Sequence, residues 1–190
     1  ELITTITPSS IDSKIKITAH LFGELNGDGN QDLLICFKRT VNNVSTILKT
    51  SQGTTQGRGI FSLGRTYWGV ADANTTPETG IIIYYDEPNT MSQVTYSLIL
   101  VAAGTYTFKL NRTISTGGIN CENGISSISV EVTKNTFTQI DSTNTYVLNN
   151  GGDIDIGLLS VTITPKSLDS VIIIDSCIFG ELSNANYSDT

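Results

Sequence analysis

The chain has 190 residues and is 38% hydrophobic, enough for one β-domain and somewhat more with a core of its own, which excludes a disordered polymer. Only 15% of it is charged whereas Ser and Thr together number 46, so uncharged hydroxyls rather than ions solvate the surface. A net charge of −7 excludes a protein that neutralises nucleic-acid phosphates or sits on anionic lipid, and the longest aliphatic runs, 81–83 and 171–174, are far too short for membrane insertion.

In chain order, residues 14–22 alternate Ile15, Ile17, Ala19 and Leu21 with Lys14, Lys16, Thr18 and His20, the period of two that predicts a half-buried strand. Further short strands are expected over 32–39, 45–48, 65–70, 80–85, 93–101, 105–110 and 125–132. The stretches 26–30, 52–59, 73–79, 86–89, 102–104 and 115–124 hold the Gly, Asn, Asp and Pro that make turns, and no segment sustains a helical period. The pattern predicts an all-β fold, an antiparallel β-sandwich wound in a jelly-roll-like way.

Residues 2–25 and 159–182 align at an offset of 157 with 14 identities over 24 positions, pairing Pro8 with Pro165, Asp12 with Asp169, Phe22 with Phe179 and Glu24 with Glu181. Chance does not produce that agreement. The period matches a whole domain rather than a solenoid unit, so residues 1–134 are expected to form one β-sandwich and 135–190 the opening strands of a second copy. Residues 135–157 precede the second copy while nothing equivalent precedes the first, so the first domain is expected to lack its opening strands. The 135–190 segment is then a donor for a neighbouring subunit, through a heterologous contact that need not close and yields a filament. Alternatively the chain, which opens at Glu1 rather than Met, is a window from a longer tandem-repeat product.

The sharpest local motif is Glu24, Asn26, Asp28, Asn30 and Asp32, oxygen ligands at alternating positions around Gly27 and Gly29. Such spacing suits calcium and resembles the calcium loops of integrin-type propeller repeats. The second copy keeps only the framing Glu181 and Asp189, and Ile35 stands where an EF-hand needs Glu, so a hairpin turn is the first expectation and calcium the alternative. His20, the single imidazole, corresponds to Cys177 in the second copy and has no acid or nucleophile placed by sequence, so no enzyme activity is expected. The Gly-rich 52–59 stretch lacks a following Lys-Ser/Thr and makes no phosphate cradle. Cys36, Cys121 and Cys177 form no C-x-x-C pair and are expected as buried or free thiols, with a Cys36–Cys121 bridge as the extracellular alternative.

Trp68 alternates with Tyr67 in an expected strand and is assigned to the core, the alternative being a sugar-stacking platform. Tyr84 and Tyr85 face opposite sides, so one of them is expected to be exposed. Sequons begin at Asn43, Asn74, Asn111 and Asn186, about as many as this Asn, Ser and Thr content produces by chance. They are glycosylation candidates in a eukaryotic setting.

The ordered set T-I-T-P-x-S-x-x-S (5–13), G-E-L-N (23–26), F-K-R (37–39), Y-x-D-x-P-x-T (84–90), V-T-Y (94–96), L-N-R-T (110–113) and S-S-I-S-V-E-V (126–132) resembles the repeated β-domains of phage and virus tail-fibre-type proteins. The resemblance covers residues 1–134 and begins again over 135–190. It implies a jelly-roll-like sandwich in an extracellular or virion appendage, repeated along a fibre, often trimeric, and without catalysis. The expected function is therefore a structural fibre or filament subunit whose partner is itself. The alternatives are a receptor- or glycan-binding head that meets a host surface, and a calcium-stabilised adhesin.

Overall fold

The computed structural model describes residues 1–26, 32–48, 61–64, 77–101, 107–118, 121–133 and 160–165, with single positions 167, 169, 172, 174 and 176. Its strands are β1 (Ile3–Ile6), β2 (Lys14–Asn26), β3 (Asp32–Val41), β4 (Val44–Leu48), β5 (Phe61–Gly64), β6 (Glu78–Asp86), β7 (Val94–Val101), β8 (Thr107–Leu110) and β9 (Ser127–Thr133). Among the described residues there is no helix, and every named pairing is antiparallel, so the fold is all-β as the alternation predicts.

Two sheets form. One runs β1-β7-β3-β4 with β5 also on β3, and the other runs β6-β2-β8 with β9 also on β2. Each is organised around one long strand whose second edge is served by two short strands in line. Along β2, β8 pairs Gly23↔Leu110 to Asn26↔Thr107 and β9 pairs Lys14↔Thr133 to His20↔Ser127. The chain from 107 to 133 is thus a single edge strand interrupted by the 111–126 excursion. On β3, β4 pairs residues 37–41 and β5 pairs residues 32–35, the same arrangement in the other sheet.

The ladder does not lapse at the interruption opposite Phe22. Its N–H donates to Ser126 Oγ (2.9 Å) and its carbonyl accepts from Asn111 N (2.9 Å), so a side chain and a loop amide replace the missing strand residue. The β3–β4 hairpin has a two-residue turn in which Asn42 (φ 49°) and Asn43 (φ 65°) both take left-handed backbone. Asn tolerates that conformation, and its twist matches the flanking strands.

Alternation along β2 sends Ile15, Ile17, Ala19 and Leu21 inward, and all four are fully buried. They meet Ile35 and Phe37 of β3 and Val94 and Tyr96 of β7 in one core between the sheets. Each of the isoleucine, leucine and valine side chains contributes roughly 1.5–3 kcal/mol of burial free energy. At the seams β1 lies beside β9 and β5 beside β6.

Three expectations change. Strand β2 continues to Asn26, through residues whose Gly and Asn content reads as turn, because β8 supplies a partner there. The segment after it is not a hairpin: β2 and β3 belong to different sheets, so residues 27–31 connect the two layers. Strand β6 begins at Glu78, inside an expected turn, because Gly23 and Phe22 extend the β2 ladder to it. The expected 65–70 strand, Trp68 with it, and the 52–59 stretch lie outside the described residues, as do residues 134–159.

Gly23 has a specific steric reason. A Cβ there would lie 2.5 Å from the Lys109 carbonyl oxygen and would run into the Phe108 ring that packs across it. Gly23→Ala is expected to lower unfolding free energy by about 1–3 kcal/mol in urea titrations, the cost of overpacking. The control Gly117→Ala, where a Cβ meets nothing within 4 Å, is expected to be close to neutral.

Candidate functional site

Alternation puts Glu24 on the outer face of its sheet, yet it is fully buried. Residues 111–126 fold back over that face, and the Ile114 amide donates to Glu24 Oε2. In the same loop Thr113 N donates to the Glu122 carbonyl (3.0 Å), Thr113 Oγ1 to the Ser115 carbonyl (2.8 Å), and Ser126 N to Asn111 Oδ1 (2.8 Å). Gly124 sits directly on the Phe22 ring, where a Cβ would overlap it. Glu24 thus anchors a loop from beneath.

Of the other expected calcium ligands, Asn26 ends β2 opposite Thr107 and Asp32 opens β3 opposite Gly64, while Asp28 and Asn30 lie outside the described residues. Glu78, opposite Gly23 on the inward side, accepts from Leu25 N (3.4 Å). The two buried glutamates therefore address opposite faces of one sheet. Among the described residues no group of three or more His, Cys, Asp or Glu converges.

The interior holds a second polar group that reading the sequence for sites overlooks. Arg39 Nη1 donates to Asp86 Oδ1 (2.8 Å) and Oδ2 (3.0 Å), and Tyr96 Oη donates to Asp86 Oδ2 (2.7 Å). Arg39 and Tyr96 face each other on β3 and β7, whereas Asp86 ends β6, so the group clips one sheet to the other. Asp86 and Tyr96 are buried, and the phenol is pushed far above the usual tyrosine range. Burial is the main cause, followed by its hydrogen bond to the Asp86 carboxylate and that carboxylate's charge, with Arg39 pulling the other way. Such a phenol stays a neutral donor. The signal was present in the sequence as charged residues at inward positions: Arg39 continues the Ile35–Phe37 face and Asp86 the Ile82–Tyr84 face.

His20 Nδ1 donates to the Ile125 carbonyl (3.1 Å), which gives the imidazole a loop-holding role. Cys36 is buried and Cys121 half-buried, and neither is in a disulfide, so the alternative Cys36–Cys121 bridge is not formed. Tyr84 packs at 6.4 Å from Phe37, and Tyr84 and Tyr85 are both half-buried, so neither is the exposed member expected of the pair. Among the sequons, Asn43 is exposed at the hairpin tip, whereas Asn111 is half-buried with its side-chain oxygen committed to Ser126 and its Thr113 buried. Asn74 and Asn186 lie outside the described residues.

No family model, no curated protein and no solved structure matches the chain.

The clip makes its own test. Tyr96→Phe removes one donor from the buried Asp86 and is expected to cost about 1–3 kcal/mol; Asp86→Ala strands Arg39 and Tyr96 together and is expected to cost about 3–5 kcal/mol. Because the folded phenol titrates above the unfolded one, its stabilisation is complete below about pH 10 and is lost as the pH rises beyond that, by up to ~1.4 kcal/mol per pH unit. Alkaline denaturation curves of Tyr96→Phe are expected to fall less steeply than those of the wild type.

Proposed function

We propose that the chain is a structural subunit of an extracellular fibre or filament of the virion-appendage type, assembled by tandem repetition or by strand donation between copies, in a jelly-roll-like sandwich. The observation that carries this reading is the repeat at an offset of 157, which persists in local geometry. Asp12 N donates to Ser10 Oγ (3.2 Å) in the first copy, and Asp169 N donates to Ser167 Oγ (3.1 Å) in the second. The same turn is built twice, but only the first is followed by a described strand.

Support also comes from how the polar groups are used. Glu24, Asp86, Arg39 and His20, the ionisable residues that alternation or uniqueness singles out, each hold a loop or a sheet in place.

The test is negative-stain microscopy of the full chain beside a chain ending at Lys134, which retains all nine described strands. Filaments from the full chain only are the expected result. Identical discrete particles from both would overturn the reading.

A further inference from the structure

We infer that residues 159–182 are a second edition of β1–β2 that seats in the sandwich of another copy of this chain, between β6 and β8/β9, in the register that residues 2–25 use in their own. This rests on the fibre reading and names its contact. In the first copy Ile15 and Ile17 are fully buried, whereas their equivalents Ile172 and Ile174 are 47% and 80% exposed. Val161 and Ile163, the equivalents of Thr4 and Ile6, are also exposed, although Ile6 packs on the core. None of the described residues from 160 to 176 lies in a strand. One sequence pattern therefore occurs in two environments, and the environment that buries it is already specified.

Adding 157 to the observed ladders places Ile172 opposite Asp86 and Val132, Ile174 opposite Tyr84 and Val130, and Ser176 opposite Ile82 and Ile128. The inward set Ile172, Ile174, Ser176 and Ile178 differs from Ile15, Ile17, Ala19 and Leu21 by changes of one or two heavy atoms or of branching, so the slot accepts it nearly by volume. Phe179, Gly180 and Glu181 repeat the residues that meet Ser126, Phe108 and the Ile114 amide. The outer face carries the difference. Lys14 pairs with Glu87 (3.2 Å) and Lys16 with Glu131 (3.5 Å), and the second copy has Val171 and Ile173 there. Those pairs favour the resident β2 within its own chain, so the second edition enters a neighbour's slot only in exchange for the resident there, as in domain swapping.

The experiment uses the full chain with Ile17→Asp, Ile174→Asp and both together. Ile17→Asp puts a charge at a fully buried position, so the resident β2 cannot hold its seat. The expected result is that Ile17→Asp keeps its strand circular dichroism and one cooperative unfolding transition as an oligomer, that Ile174→Asp stays folded, and that the double variant unfolds. Adding Ser127→Cys to Ile17→Asp places residue 127 opposite Cys177 in the proposed register, because Ser127 faces His20 in the resident one. A short bis-maleimide is then expected to link residues 127 and 177 between chains, as mapped by peptide mass spectrometry.

An Ile17→Asp chain as unfolded as the double variant, or 127–177 links absent or confined within one chain, would overturn the inference. Wild-type filaments alongside an unfolded Ile17→Asp chain would remove this contact and leave the fibre reading standing. Interchain links without wild-type filaments would do the reverse.

Discussion

A single 13-residue strand, β2, has to be paired along both edges while its inward face fills the core, and the architecture follows from that demand. Strand β6 serves one edge from residue 15 to residue 23. The other edge is longer than any one short strand covers, so β8 and β9 divide it, and the gap between them is closed by Ser126 and Asn111. Because the chain leaves the edge at residue 111 and returns at residue 126, the excursion lies on the outer face, where it buries Glu24 and covers Phe22. A loop placed in this way is held by β2, the neighbour of the edge strand it interrupts.

The second sheet repeats the plan around β3, but what keeps the two layers in one relative position is polar. Hydrophobic burial is non-directional and tolerates sliding of one sheet over the other. The Arg39–Asp86–Tyr96 group does not, because three side chains from three strands must meet within hydrogen-bond distance. Replacing such a group with apolar side chains of the same volume often preserves stability, whereas removing one partner and stranding the others is costly. The aromatic contact of Phe37 with Tyr84 lies on the same inward faces and adds packing to that alignment.

The internal repeat separates what a segment encodes from what its surroundings contribute. The Ser-x-Asp turn forms in both copies, since its hydrogen bond spans two residues and needs nothing else. Burial of the isoleucines that follow needs partners from β6 and β9, and it is seen where those partners are present. A strand is thus a conditional structure, and an apolar alternating segment with a matching slot in another molecule is a means of joining subunits.

Local alternation was sufficient to establish the all-β class, most of the strands and the inward set of β2, because a period of two fixes which side chains share a face. The repeat was legible from residue identities at an offset of 157 rather than from alternation. Alternation did not reveal where a strand ends: Gly23, Glu24 and Asn26 read as a turn, and only β8 alongside makes them strand. Nor did it distinguish an exposed glutamate from one covered by a loop 90 residues away. The 24–32 string reads as one ligand loop because its residues are adjacent in sequence, yet its first member is turned toward Ile114 and its ends enter different sheets. Periodicity is a property of neighbours along the chain and was therefore legible in the sequence. Sheet membership, the Arg39–Asp86–Tyr96 clip and the covering of Glu24 depend on residues as far apart in the chain as Lys14 and Thr133 meeting in space, so the tertiary structure alone decided them.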